Sequence, residues 1–334
     1  MYQRKMSGDK KLMRVIAAAV CLSAFTCACG CEENNGTDVE PYSENGEIDD
    51  EYTGNGVCFA DVGAGDCSLI KTDDFSLLID CGNDGKQVKE NLFNILDSKV
   101  KSGIDYFILS HPDEEHIGNA EEIISRYNCR NLLVPFTDYE YSESYVKALN
   151  SAREKGVTVK EFNYLTEING KNSDVFFLYP EYKYSDEFNN ISVAELPSEK
   201  LLDEISPVIY LEIDEIRIIL CTDASYKQEN KVLNNFKSGL YDAFFGKGEV
   251  NLYDVDLLKI SGHGRGDATS EDFLQVLNPD NAVISCGAAN PPNTETLKRL
   301  YKRNGKTSLF RTDLNGNVTV KIDNGKLTVT SSMK

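Results

Sequence analysis

A chain of 334 residues with 41% hydrophobic and 10% aromatic side chains holds enough apolar mass for a sizeable core, in one large domain or two modest ones. Its formal net charge is −19. A body so acidic repels a phosphate backbone unless a local basic patch or a bound cation reverses the field, which argues against a general nucleic-acid-binding module.

The chain opens with Arg4, Lys5, Lys10, Lys11 and Arg14 against Asp9 alone. Residues 15–28 are apolar and small, a run too short for the roughly 20 residues of a membrane span but suited to the apolar stretch of a signal peptide. Small residues precede Cys29 and Cys31, which resembles a bacterial lipobox, although the usual upstream leucine is Thr26 or Ala28. The expectation is a signal peptide over residues 1–29 and an anchor to the outer face of the cytoplasmic membrane through lipidated Cys29 or Cys31. Residues 30–55 are acidic and nearly free of aliphatic side chains. They cannot offset the entropy of ordering and are expected to form a disordered tether.

The pattern changes near residue 56, where the expected domain (56–334) begins. VCFADV, CSLIKT and FSLLID read as short strands, the last two joined at Asp73-Asp74. Val88, Leu92, Ile95, Leu96 and Val100 have helical spacing. IDYFILS is a buried strand leading into HPDEEH and a helix; LLVPF, VTVKEF and DVFFLYP follow as strands, with a helix across 143–154. VIYLEI and IRIILC form a hairpin turned at Asp214-Glu215. A helix near 228–237, the strand DLLKI, the loop SGHGRG, a helix, the strand NAVISCG, another helix, TSLFRT and a hairpin turned by Asn324-Gly325 complete the chain. Strands and crossover helices thus recur in two blocks, about 57–180 and 205–331, which predicts mixed sheets covered by helices on the outside. Cys58, Cys67, Cys81, Cys129, Cys221 and Cys286 stand singly in strand-like segments, where a thiol behaves as a small hydrophobe.

The three histidines carry the chemistry. His111 and His116 lie in HPDEEH after one strand, His263 lies in SGHGRG after another, and Asp223 lies in CTDA after a third. Strand ends are where open α/β sheets gather ligands. Imidazoles and carboxylates brought together from separate loops form a metal-binding donor set. A loop histidine can also be merely solvated, HPDEEH can serve as an acidic helix start, and Asp223 taken alone can be a turn residue. His263 between two glycines stands apart, because glycines let a backbone approach a site closely.

Residues 57–331 resemble the ComEC-type branch of the metallo-β-lactamase superfamily. CFADVGAGDCSLI, LLIDCG, IDYFILSHPDEEHIGNA, SPVIYLEIDEIRIILCTDA and LLKISGHGRGDATSEDFL match its motifs in order, and NAVISCGAAN with FRTDLNGNVTV matches its closing segment. The resemblance implies an α/β fold, a four-layer αββα sandwich with two mixed β-sheets. It also implies one or two divalent metal ions (zinc, manganese or magnesium) held by His111, Asp113, Glu115, His116, Asp223 and His263. One site would use Glu115, His116 and His263, the other His111 and Asp113, with Asp223 bridging. Asp113 or Glu115 would act catalytically by taking a proton or orienting water. Asp61, Asp66 and Arg265 would lie in support or on the substrate, Arg265 either gripping a phosphate or facing solvent. The chain departs from the family at Asp113 and Glu115, at Gly262 in place of a histidine, at Tyr179 where another ligand is usual, and at Pro291-Pro292.

The function implied is an exported metal-dependent hydrolase, phosphodiesterase- or nuclease-like, acting on a small-molecule or nucleic-acid phosphoester. The alternative is a degenerate, non-catalytic binding module at the cell surface. The fold alone does not choose a substrate.

Overall fold

The computed structural model describes residues 54–100, 102–137, 142–164, 166–180, 205–302 and 306–333. The expected signal peptide, Cys29, Cys31 and nearly all of the expected tether lie outside these residues. Asn55, placed in the tether by its composition, is the first residue of a strand.

The strands are β1 (Asn55–Phe59), β2 (Ser68–Lys71), β3 (Ser76–Ile79), β4 (Ile104–Ile108), β5 (Cys129–Val134), β6 (Thr158–Glu161), β7 (Glu167–Asn169), β8 (Ser173–Tyr179), β9 (Val208–Ile213), β10 (Ile216–Cys221), β11 (Leu257–Lys259), β12 (Asn281–Ile284), β13 (Ser308–Arg311), β14 (Val318–Asp323) and β15 (Lys326–Ser331). The helices are α1 (Lys86–Lys99), α2 (Glu114–Ile117), α3 (Ala120–Arg126), α4 (Glu143–Lys155), α5 (Tyr226–Lys237), α6 (Leu240–Phe244), α7 (Glu271–Leu277), α8 (Thr294–Tyr301) and α9 (Thr312–Asn315). One sheet runs β15-β14-β1-β2-β3-β4-β5-β6 and the other β13-β12-β11-β10-β9-β8-β7. Both are mixed: β3 to β6 are parallel neighbours, as are β10 to β13, whereas β1-β2, β2-β3, β8-β9 and β9-β10 pair antiparallel.

Alternation along each strand sorts side chains between two cores. Val57, Phe59, Leu77 and Ile108 of one sheet meet Val175, Phe177, Ile209 and Ile218 of the other in a layer between the sheets. The intervening residues Cys58, Leu78 and Phe107 face outward against Leu92 of α1, Ile123 of α3 and Leu149 of α4. Phe176, Tyr210 and Ile219 likewise face Val232 of α5, Phe273 of α7 and Leu300 of α8. The result is the expected αββα sandwich. Cys58, Cys67, Cys81, Cys129, Cys221 and Cys286 are all free and buried.

The two sequence blocks do not map one to one onto the sheets. The closing hairpin β14-β15 crosses to the first sheet, where β14 pairs along β1 from Asn55↔Ile322 to Phe59↔Val318. Every residue of β1 is buried, and β14 supplies Val318, Val320 and Ile322 to the layer between the sheets. Asp214-Glu215 and Asn324-Gly325 have φ of +49°, +72°, +50° and +71°, the left-handed pairs that let two-residue turns follow strand twist.

Candidate metal centre

The parallel strands of both sheets end at one edge, and that edge builds the site. Asp80 follows β3, His111 follows β4, Asp223 follows β10, His263 follows β11 and Ser285 follows β12. Asp66 lies just ahead of β2, and because β2 runs antiparallel to β3 its start shares that edge. A Cβ on the preceding Gly65 would stand 1.8 Å from the Glu115 carbonyl oxygen. The absence of one lets the Asp66 loop lie on α2, where the Asp66 N–H donates to that carbonyl at 3.3 Å.

Asp66, His116, Asp223 and His263 each bring one donor atom within 4.8 Å of those of the other three. Among the described residues this is the one group of three or more His, Cys, Asp or Glu side chains so arranged. Asp66 Oδ1, His116 Nε2, Asp223 Oδ1 and His263 Nε2 are buried and have no hydrogen-bond partner. Polar atoms buried unsatisfied cost about 1–3 kcal/mol each, and more when charged; four together at one point form a cradle for a cation.

The remaining atoms of these side chains are committed elsewhere. His116 Nδ1 lies 2.8 Å from Asp80 Oδ2, and His263 Nδ1 lies 3.0 Å from the Ser285 carbonyl oxygen. An ionised carboxylate and a carbonyl only accept, so each Nδ1 carries a proton and each Nε2 is left as the nitrogen whose lone pair would go to a bound cation. Asp80 also accepts from the Ser110 N–H at 2.8 Å and the Ser110 hydroxyl at 2.6 Å. Asp66 turns Oδ2 to Lys259 Nζ at 2.6 Å. Lys259 alternates onto the face between the sheets and also donates to the Cys221 carbonyl at 2.9 Å, so a buried ion pair ties the sheets together beneath the cluster.

The field in the cluster asks for positive charge. Burial pulls the His116 imidazole down, but the Asp80, Asp223 and Asp66 carboxylates outweigh it and raise the group to about 10. Burial pushes the Asp223 carboxyl up, but His263, His116, His111 and Arg265 together hold it below the usual carboxylate range. His111 is held well below 6.5 by burial and by the neighbouring His116.

The loop carrying His263 is a left-handed turn: Gly262, His263 and Gly264 have φ of +53°, +53° and +80°. A non-glycine residue in this region is a strained backbone of the kind that clusters at functional sites. A Cβ on Gly262 would also stand 2.9 Å from Arg265 Nε. His263 also lines a cleft of about 350 Å³, together with Glu115, Arg265, Asn290 and Asn293.

Residues 60–287 match the family model for the metallo-beta-lactamase superfamily. The chain belongs to that superfamily. It is 28% identical over 238 residues to ComE operon protein 3 of Bacillus subtilis (strain 168), a match covering 70% of this chain and 26% of that protein. It is 25% identical over 274 residues to Recombination protein 2 of Haemophilus influenzae, covering 80% of this chain and 29% of that one. The chain therefore spans between a quarter and a third of these relatives. Among solved structures, the metallo-beta-lactamase fold protein YhfI from Bacillus subtilis aligns with a TM-score of 0.47 and 11% identity, covering 82% of this chain and 100% of that one.

Against the superfamily pattern, the structure brings His116, Asp223 and His263 together and adds Asp66, expected only in a supporting place. Glu115, expected as a ligand, stands outside the four-residue group: its side chain is 42% exposed and Oε1 is 3.9 Å from His263 Nε2. Glu115 and His116 are consecutive residues of a helix, a rotation of about 100° apart, so when His116 points inward Glu115 turns toward the cleft that it lines.

His111 is buried beside His116, with ring centroids 3.9 Å apart. Its Nδ1 meets the hydroxyls of Ser110 and Ser206 at 2.9 and 3.3 Å, and its Nε2 is 3.7 Å from Asp113 Oδ2. His111 and Asp113 join no group of three or more donors among the described residues. Asp61 shapes its own turn, accepting from the Gly63 N–H at 3.2 Å. Tyr179 is buried in the core outside the second sheet, and Pro291 lines the cleft.

The residues missed in the sequence as parts of the centre are Asp80 and Lys259. The Asp80 signal was present in LLIDCG, a carboxylate at a strand end ahead of a glycine. Lys259 gave itself away only as a charge inside an otherwise apolar strand.

Proposed function

We propose that this chain is a metal-dependent hydrolase of phosphate esters, with Asp66, His116, Asp223 and His263 holding a single divalent cation. The observation that carries the reading is the convergence of four buried, partnerless donor atoms, one of them on His263, which lines an open cleft. Two imidazoles and two carboxylates suit zinc or manganese better than magnesium, which prefers oxygen donors. A cation bound there supplies Lewis acidity and a water made nucleophilic at neutral pH. Asp80 orients His116, and Lys259 fixes Asp66 with one oxygen turned to the cluster. Glu115, which lines the cleft with Oε1 3.9 Å from His263 Nε2, is the carboxylate that would accept the proton the attacking water loses.

Similarity to competence proteins supports phosphoester chemistry. The basic and then apolar N-terminal composition supports export and tethering through lipidated Cys29 or Cys31 at the outer face of the cytoplasmic membrane. The purified protein, reconstituted with zinc or manganese, should turn over bis-p-nitrophenyl phosphate, and His116→Ala and Asp223→Ala should abolish that turnover. Absence of turnover with zinc, manganese and magnesium alike would leave the binding-module reading in its place.

A further inference from the structure

We infer that the substrate is a small phosphate ester of about nucleotide size, gripped by Arg265, and not a nucleic-acid polymer. The inference rests on the hydrolase reading of the same centre.

Gly262 and Arg265 form a matched pair. The left-handed glycine leaves open the space that a side chain would fill, and the Arg265 guanidinium occupies it, within 2.9 Å of where the Cβ would stand. Its Nη2 donates to the Asp223 carbonyl oxygen at 3.2 Å, Nη1 is 3.7 Å from Asp223 Oδ2, and Nε is 3.4 Å from Asp267 Oδ1. Asp223 therefore turns one carboxylate oxygen to the cluster and the other to the guanidinium, so both sources of positive charge sit on one residue. The Arg265 side chain keeps 34% of its surface exposed and lines the cleft. A planar fork so fixed suits the oxygens of a single phosphate group.

Size and charge speak against a polymer. A cleft of about 350 Å³ lies at the small end of ligand pockets, about 300–1,000 Å³. A nucleic-acid strand is bound through a row of cations along its backbone, but among the described residues Arg265 is the one Lys or Arg lining this cleft. Glu115 stands at the mouth, the neighbouring Asp267 side chain is 68% exposed, and the whole chain carries −19. Each further phosphate of a strand would therefore meet repulsion where the first meets the guanidinium.

The test is equilibrium binding to the metal-loaded, full-length protein at physiological salt, by calorimetry, with inorganic phosphate, thymidine 5′-monophosphate and an oligothymidylate strand as probes. The nucleotide should bind more tightly than the strand. Arg265→Ala should weaken phosphate and nucleotide binding by about tenfold or more while metal content and melting temperature hold. Arg265→Lys, which keeps the charge but loses the fork, should fall between and serves if the alanine variant does not fold. Wild-type phosphate affinity in Arg265→Ala, or tighter binding of the strand than of the nucleotide, would overturn the inference. Diester turnover measured on the same samples separates the two failures. Turnover with unchanged phosphate affinity in Arg265→Ala sinks only the substrate assignment, whereas bound metal without turnover of any ester sinks the hydrolase reading beneath it.

Discussion

Replacing Asp66 by alanine removes two things at once, a donor to the cluster and the counter-charge of Lys259, and the two losses can be separated. The Asp66–Lys259 pair is 2.6 Å long with both side chains 2% exposed. Breaking a buried pair by deleting one partner strands the other charge and costs about 3–5 kcal/mol. In a body of this size each kcal/mol moves the melting temperature by about 2–4 °C, so metal-free Asp66→Ala should melt about 10 °C below wild type. Deleting both partners, as in Asp66→Ala with Lys259→Met, leaves no stranded charge and should recover more than half of that loss. Metal affinity should behave differently. It falls by at least about a hundredfold in both variants, because neither has the fourth ligand. Melting curves in chelator and metal titrations of the three proteins read the two effects independently. A double variant no more stable than the single one would refute the ion-pair argument, and unchanged metal affinity in Asp66→Ala would refute its place in the cluster.

Three further outcomes follow from the same geometry. Asp80→Asn keeps the shape but can turn an N–H toward His116 Nδ1, and metal affinity should drop by about 10–100-fold with the fold intact; isothermal titration with zinc checks it. In the metal-free protein His116 is raised from 6.5 to about 10, so its contribution to stability is full below about pH 6.5 and is lost as pH rises toward 10. Melting temperature in chelator should fall across that window, and the metal-loaded protein should not show the loss. His111→Ala should leave zinc affinity within about threefold of wild type, since its Nδ1 is engaged by two hydroxyls and the proposed centre does not use it; a loss comparable to that of His116→Ala, well beyond about tenfold, would put His111 among the ligands.

Much of the fold was legible because its signals are local. Alternating apolar residues, left-handed dipeptides at Asp214-Glu215 and Asn324-Gly325, and helical spacing between them dictate hairpins and crossovers without knowledge of distant partners. The destination of β14 was not legible, since its partner β1 lies at the other end of the folded chain and only the shared burial of Val57, Phe59, Val318 and Val320 selects it. At the site, strand-end placement marked His116, Asp223 and His263. Asp66 was harder. Its use depends on Gly65 closing against the Glu115 carbonyl and on Lys259, 193 residues away, and neither contact leaves a trace in local spacing. Glu115 and His116 are neighbours in sequence, and only exposure, 42% of the Glu115 side chain against none of His116, sets Glu115 apart from the four-residue group.

The most direct measurement is metal content by mass spectrometry of the protein after reconstitution with zinc or manganese and removal of excess ion. A single equivalent should be retained by the wild type and lost in His116→Ala, Asp223→Ala and His263→Ala, each still folded by circular dichroism. Retention of that equivalent by any of the three variants, or none in the wild type, would contradict the four-residue centre.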